Sequence, residues 1–113
     1  MIIELGGNDG LRGFPVHLIQ NNLEKMVQKC QEKNISVILL GIKIPLNYGP
    51  RYTMEFEKMY QDIAEKYDIE LIDFFMKDVA LDKNLMQDDG IHPNEKAQPI
   101  LLNNVWETIK KSI

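Results

Sequence analysis

The chain has 113 residues, a mass of 13.1 kDa and a formal net charge of −4 at pH 7. This length allows one domain at most, and an acidic balance without a basic run argues against nucleic acid as a partner. The apolar stretches are too short to span a bilayer, and a single cysteine, Cys30, excludes an internal disulfide.

The N-terminal residues predict a strand followed by a glycine-rich loop. Residues 2–5, Ile-Ile-Glu-Leu, predict a short strand that ends at Gly6-Gly7, and residues 8–14 are expected to form the loop. In this loop Gly10 and Gly13 supply flexible positions or positive φ angles.

A helix and a buried strand follow. Apolar residues recur at three- and four-residue spacing from Pro15 to Lys33, which predicts an amphipathic helix that stops at Asn34. Its apolar face consists of Leu18, Ile19, Leu23, Met26, Val27 and Cys30. On this face Cys30 is interpreted as a small core residue, with a catalytic cysteine as the alternative. The apolar run 37–42 is typical of a strand buried on both faces of a parallel sheet.

The second half of the chain repeats this alternation. Its predicted elements are a loop over 43–52, a helix over 53–67, a strand over 70–72, one or two helical turns in 74–80, a polar loop over 87–93 and a helix over 94–111. Asn94 caps the last helix and Pro99 distorts its first turns. The inward-facing residues of that helix are predicted to be Ala97, Leu101, Val105, Trp106 and Ile109.

The order β-α-β-α-β-α predicts an α/β fold, with right-handed crossovers and a parallel sheet in a three-layer α/β/α sandwich. Three strands are few for such a sheet, and the first strand would have an exposed edge. We therefore expect residues 1–113 to be a single but partial domain, preceded by roughly sixty to seventy residues that would supply two further βα units.

Polar side chains are concentrated at one edge of the predicted sheet. In an open α/β sheet ligands bind beyond the carboxyl ends of the strands. The loops after the three predicted strands all open at that end, so we expect them to converge on one site.

Asp89 and His92 have the spacing of an acid–base pair within one turn. The carboxylate of Asp89 can accept the Nδ1 hydrogen of His92, which leaves Nε2 to take a proton from a nucleophile and return it to the leaving group. The alternative is a loop histidine with a neighbouring surface acid.

Asn8 carries a neutral amide donor that can stabilise a developing oxyanion, and the flanking glycines allow a backbone N–H to approach the same atom. One alternative is a glycine-rich turn with Asn8 in a left-handed conformation. A phosphate-binding loop is disfavoured, because the glycine spacing matches neither G-x-G-x-x-G nor the P-loop pattern.

Other polar residues are weaker candidates. His17 is expected on the surface, and Arg12 and Arg51 could meet an anionic substrate or be solvated charges. Asp88, Asp89 and His92 could be proposed as metal ligands, but without a second histidine nearby we predict no metal site.

Two segments resemble motifs of a known family. Gly6-Gly7-Asn8-Asp9 resembles the third conserved block of the SGNH (GDSL-type) hydrolases, and Asp89-Gly90-Ile91-His92-Pro93 resembles the fifth. Residues 4–13, 45–52 and 86–99 look like the bacterial thioesterase I/lysophospholipase/arylesterase subgroup, and the similarity covers nearly the whole chain in order.

The resemblance implies a flavodoxin-like fold and hydrolysis of acyl esters, thioesters or lysophospholipids through an acyl-enzyme, without a cofactor. It implies Asn8 as an oxyanion donor, Asp89 as the orienting acid and His92 as the general base. Contacts with the substrate are expected from Gly7, Asp9, Gly10, Leu11, Arg12 and Tyr48. It also implies a periplasmic or secreted protein, whereas a true start at Met1 would indicate the cytoplasm.

The family's Gly-Asp-Ser block, which supplies the nucleophile, has no counterpart in this chain. The only serines are Ser36, at the entry of a buried strand, and Ser112, near the C-terminus. We expect an esterase whose serine lies outside the chain, so that the chain alone is inactive and marginally stable or self-associating. The alternatives are a non-catalytic assembly module that pairs through its sheet edge, and a metal-assisted hydrolase.

Overall fold

The computed structural model describes residues 1–44, 46–73, 79, 82–89 and 92–112, without the side chains of Leu46 and Ser112. The chain divides into two compact units, Met1–Asp73 and Phe74–Ile113, and each is described by itself. A single domain over residues 1–113 stays a prediction.

The first unit contains a parallel sheet. Its elements are β1 (Ile2–Ile3), α1 (Gly7–Leu11), α2 (Val16–Glu32), β2 (Ile38–Leu40), a 3₁₀ turn (Leu46–Tyr48), α3 (Pro50–Tyr67) and β3 (Glu70–Ile72). Both strand pairs are parallel, in the order β1-β2-β3. The predicted alternation of strands and helices with a parallel sheet is confirmed, although the strands are shorter than the apolar runs that predicted them.

The register of the sheet determines which residues enter the core. Ile3 pairs with Leu39, and Leu39 pairs with Leu71, so these three side chains lie on one face. Helices α2 and α3 pack against each other and bury their apolar stripes in the same cluster. The buried members from the helices are Ile19, Leu23, Val27, Cys30, Phe56, Met59, Tyr60 and Ile63. Cys30 is thus a core residue, as predicted.

Residues 8–14 are not a loop throughout, which corrects one prediction. Helix α1 occupies Gly7–Leu11, because the N–H of Gly10 donates to Gly6 O at 2.9 Å and that of Arg12 donates to Asn8 O at 3.1 Å. Asn8 is therefore helical and not left-handed. Gly13 does adopt a positive φ of 71°, whereas Gly10 lies inside the helix.

Two helix ends follow from local chemistry. Asn34 has a φ of 58° and stops α2 as predicted. Helix α3 starts at Pro50, three positions before the predicted start, because proline is well suited to a first turn. Thr53 completes that turn by donating its hydroxyl to Gly49 O at 2.8 Å.

The second unit contains 3₁₀ turns at Lys83–Leu85 and Glu95–Ala97 and helix α4, Gln98–Ser112. Asn94 caps the second turn by accepting from the N–H of Lys96 at 3.0 Å, so the predicted helix begins as a 3₁₀ turn. Trp106 is 43% exposed while Val105 is buried, because adjacent helical residues point about 100° apart. The inward orientation predicted for Trp106 is therefore wrong. The helical turns predicted in 74–80 lie, apart from Val79, outside the described residues.

Candidate active site

Asp89 and His92 are in direct contact. Nδ1 of His92 lies 2.7 Å from Oδ2 of Asp89, and the backbone N–H of His92 donates to Oδ1 of the same carboxylate at 3.0 Å. Both side chains remain accessible, with 56% of His92 and 42% of Asp89 exposed. The contact expected from their spacing is present, whereas their roles in a reaction stay predictions.

The segment that carries this pair is held at its base. Met86 and Pro93 form an isolated antiparallel bridge, and the N–H of Gln87 donates to His92 O at 2.7 Å. Asn94 fixes the entry to the segment by donating its side-chain amide to Asn84 O at 2.8 Å. These bonds hold the backbone on both sides of the pair. Gly90 and Ile91 lie outside the described residues.

Asn8 is an exposed residue of α1 and lies five residues after the end of β1. Within the described part of the chain, its side-chain amide makes no hydrogen bond. The helix places this amide beyond the carboxyl end of a parallel strand, which is where open α/β sheets bind ligands. The predicted convergence of Asn8 with Asp89 and His92 joins residues of different units and stays a prediction.

Three aromatic residues of α3, which sequence reasoning did not assign to the site, contact the segment around Asn8. The hydroxyl of Tyr60 donates to Leu5 O at 2.8 Å, and that of Tyr52 donates to Phe14 O at 2.5 Å. Phe56 packs against Gly10, where an added Cβ would lie 2.6 Å from its ring. The i, i+4, i+8 spacing of these residues indicates that they share one face of α3. It does not indicate which part of the chain that face contacts.

Burial and nearby acidic charges raise the pKa of both phenols above their ordinary value. Burial raises the pKa of Tyr60, and the nearby charges of Glu4 and Asp9 act in the same direction. Burial, followed by the charge of Asp9, also raises the pKa of Tyr52. Tyrosine hydroxyls are hydrogen-bond donors at neutral pH, and the raised pKa extends this to more alkaline pH.

The predicted substrate contacts occupy different environments. Gly7 and Asp9 are half-buried in α1, Gly10 is buried, and Leu11 packs against the core. Arg12 is exposed and Tyr48 is 39% exposed in the 3₁₀ turn. Gly10 thus faces Phe56, whereas Arg12 and Tyr48 are exposed to solvent. The contacts expected between these residues and a substrate stay predictions. His17 is exposed, as expected.

The first unit also contains a polar connection between its two long helices. Glu24 on α2 accepts from Lys66 Nζ at 2.6 Å and from the Tyr67 hydroxyl at 2.9 Å. The hydrogen bond from Lys66 lowers the pKa of the Glu24 carboxyl, and the same contact raises the pKa of Lys66. This connection ties α2 to the C-terminal end of α3.

The described residues form neither a metal-binding cluster nor a membrane-spanning helix. Among them no group of three or more His, Cys, Asp or Glu side chains is arranged to hold a metal ion. None of the helices described is both long and apolar enough to cross a membrane.

Comparison with known proteins relates this geometry to ester hydrolases. The sequence model of the GDSL-like lipase/acylhydrolase family matches residues 1–99. Esterase TesA of Pseudomonas aeruginosa is 48% identical over 110 residues, which are 97% of this chain and 55% of that protein. Thioesterase 1/protease 1/lysophospholipase L1 of Escherichia coli K12 is 44% identical over 101 residues, 89% of this chain and 49% of that protein.

A solved structure shows the same fold. The psychrotrophic esterase EstA of Pseudoalteromonas sp., inhibited by monoethylphosphonate, superposes with a TM-score of 0.90 at 48% identity over 97% of this chain and 60% of that one. The predicted SGNH hydrolase fold is thereby confirmed. The chain spans about half the length of the curated relatives it matches.

Proposed function

The chain belongs to the GDSL-like lipase/acylhydrolase family, and on that premise we propose that it supplies the acid–base pair and an oxyanion donor of an ester hydrolase. The nucleophilic serine of this hydrolase lies outside the 113 residues. The observation that carries the proposal is the contact of 2.7 Å between His92 Nδ1 and Asp89 Oδ2. It gives the imidazole an orienting acid and leaves Nε2 for the substrate side.

The proposed reaction has two halves. As the serine Oγ attacks the acyl carbonyl carbon, Nε2 of His92 accepts the hydroxyl proton, and the negative charge of the carbonyl oxygen is stabilised by the amide of Asn8. The imidazolium, stabilised by Asp89, then gives its proton to the departing alcohol or thiol. Water repeats the sequence on the acyl-enzyme, which releases the acid and regenerates the serine.

The proposed substrates are acyl esters, thioesters and lysophospholipids. The names of the relatives support this class: one is an esterase, another a thioesterase and lysophospholipase. Exposed residues of the first unit that could contact such a substrate are Arg12 and Tyr48. The proposed reaction proceeds by nucleophilic attack of serine and then of water, assisted by proton transfer and hydrogen bonds, and it requires no cofactor.

Neither serine of the chain fits the role of nucleophile. Ser36 precedes β2, and its carbonyl oxygen accepts from the amino group of Met1 at 2.8 Å. It therefore lies at the amino end of the parallel sheet, whereas Asn8 follows the carboxyl end of β1. Ser112 is the last residue of α4.

The test uses two proteins: the 113-residue chain, and a chimera in which the part of P. aeruginosa TesA outside the match precedes this chain. We expect the chain alone to hydrolyse p-nitrophenyl butyrate no faster than its His92→Ala variant. The chimera should hydrolyse it, and His92→Ala should abolish the activity. The matched control is His17→Ala, because His17 is the other histidine and is exposed on α2. An inactive, folded chimera, or equal loss in both variants, would reject the proposal.

An assembly module is the second candidate, and the edge of the sheet favours it. Within the described strands β1 pairs with β2 alone. Ile2 of β1 is 47% exposed, and Met1 and Leu5, which flank the strand in sequence, are 62% and 51% exposed. An apolar edge of this kind promotes pairing between chains. Sedimentation of the 113-residue chain should show a concentration-dependent oligomer that Ile2→Lys weakens. A stable oligomer combined with an inactive chimera would favour assembly over hydrolysis.

A further inference from the structure

We propose that Tyr60 is a positioning residue for Asn8, and that its hydroxyl fixes the start of α1 so that the Asn8 amide meets the oxyanion. The role given to Asn8 rests on the proposed function. The anchoring of α1 by Tyr60 rests on contacts within the first unit alone.

Three rings on one face of α3 support the segment that contains Asn8. Tyr60 holds its start through Leu5 O at 2.8 Å, Phe56 packs on its middle at Gly10, and Tyr52 holds its end through Phe14 O. The rings also contact one another: Phe56 and Tyr60 meet edge to face at 5.5 Å, and Tyr52 stacks on Phe56 at 6.5 Å. The support is therefore a continuous aromatic column.

Helix α1 depends on this column. It has five residues and no side-chain N-cap, and helices this short are not stable by themselves in water. Its first backbone bond, from Gly10 N–H to Gly6 O, forms next to the Leu5 carbonyl that Tyr60 holds. The anchor therefore acts where the helix begins, three residues before Asn8.

Gly6 allows the Tyr60 hydroxyl to approach the backbone closely, because glycine has no side chain. A Cβ on Gly6 would lie 2.7 Å from the Tyr60 hydroxyl oxygen, and the φ of Gly6 is +105°. Glycine meets both requirements. Tyr60 itself is 1% exposed, so water cannot readily replace its hydroxyl, and removing it leaves the Leu5 carbonyl without this bond.

The two ends of the column should differ in their effect on Asn8. Tyr52 bonds to Phe14, which is 46% exposed and six residues beyond Asn8, after the positive φ of Gly13. Losing that bond frees the end of the segment, whereas losing the Tyr60 bond frees its start. Since misplacement of a catalytic donor by about 1 Å can cost a hundredfold in rate, we assign the positioning role to Tyr60.

The test compares two substitutions that each remove one phenolic hydroxyl from α3. Tyr60→Phe removes the bond to Leu5, and the matched control Tyr67→Phe removes the bond to Glu24. In the chimera we expect Tyr60→Phe to lower kcat for p-nitrophenyl butyrate by about ten- to a hundredfold with KM within about twofold. Tyr67→Phe should leave kcat within about twofold, and both variants should remain folded by circular dichroism.

A second readout does not depend on esterase activity. In the 113-residue chain, amide hydrogen exchange at Gly10 and Arg12 should accelerate at least about fivefold in Tyr60→Phe, while exchange at Val27 in α2 should not. If exchange accelerates at Gly10 and Arg12 but not at Val27, and the wild-type chimera is inactive, the anchoring of α1 by Tyr60 is supported and the proposed function is rejected. Equal kcat losses in the two variants, or exchange at Gly10 no faster than in wild type, would overturn the positioning role.

Discussion

The carboxylate of Asp89 accepts two hydrogen bonds from one residue, the backbone N–H of His92 at 3.0 Å and its ring Nδ1–H at 2.7 Å. One oxygen fixes the turn of the backbone and the other fixes the ring. The imidazole is therefore oriented by the same group that would stabilise its protonated form. This double contact orients the ring relative to the carboxylate although both side chains are exposed.

Replacing Asp89 by Asn should preserve the shape of the turn but change the donor pattern at Nδ1. An amide presented to His92 favours the wrong tautomer, so we expect kcat of the chimera for p-nitrophenyl butyrate to fall by at least about a hundredfold. The adjacent exposed residue gives the control, Asp88→Asn, which should change kcat little. Activity of Asp89→Asn close to wild type would show that the carboxylate does not assist the histidine.

Replacing Asn8 by Ala removes the proposed oxyanion donor without touching the core. We expect kcat to fall by about a hundred- to a thousandfold with little change in KM, because the donor acts on charge that develops in the transition state. Asn22→Ala on the exposed side of α2 is the control. A rise in KM with unchanged kcat would instead assign Asn8 to substrate binding.

Adding a methyl group at Gly10 should destabilise the chain through Phe56. The added Cβ would lie 2.6 Å from a ring that is fully buried, so we expect Gly10→Ala to lower the free energy of unfolding by about 1–3 kcal/mol. Urea denaturation would measure it. In a Phe56→Leu background the penalty of Gly10→Ala should shrink, and an unchanged penalty would indicate that Phe56 is not the obstacle.

The hydrogen-bonded pair of Glu24 and Lys66 should make the free energy of unfolding depend on pH in the acid range. The folded-state pKa of Glu24 is lowered from 4.5, mainly by the hydrogen bond from Lys66. The contribution of the ionised Glu24 carboxylate to the free energy of unfolding is therefore complete above about pH 4.5. It is lost as pH falls through the folded-state pKa. Glu24→Gln should lower the free energy of unfolding by about 1 kcal/mol at pH 7, and the difference from wild type should shrink as pH falls below about 4.5 and through the lowered folded-state pKa.

Exposed Glu55, which lies 3.3 Å from Arg51, provides the comparison for this measurement. Glu55→Gln should have little effect at either pH, because solvent screens an exposed pair. If the two glutamate variants lost stability equally at pH 7, the contact between α2 and α3 would have no special role.

Long periodic segments could be predicted from the sequence, and short or distant relationships could not. The stripe of α2, from Ile19 to Cys30, and the apolar run of β2 were sufficient to predict a parallel α/β sheet. The sequence predicts a loop where α1 lies, because a helix of little more than one turn produces no periodic pattern. Trp106 was misplaced because two adjacent apolar residues cannot both lie at the centre of one helix face.

The same distinction applies to the candidate site. The contact between Asp89 and His92 is local, so their spacing predicted it. The bond from Tyr60 to Leu5 spans 55 positions and depends on how α3 packs beneath α1, which neither residue type reveals. The glycine cluster predicts a turn. Only the structure shows that the Phe56 ring leaves no room for a side chain at position 10.

The most direct test of the central claim is to find which serine reacts. The chimera would be treated with a p-nitrophenyl phosphonate ester, in which serine Oγ bonds to phosphorus and p-nitrophenolate departs, and peptides would be analysed by mass spectrometry. We predict an adduct on the serine of the added TesA segment, formed at least about tenfold more slowly in His92→Ala, and none on Ser36 or Ser112. An adduct on either of those serines, or labelling that does not depend on His92, would contradict the account.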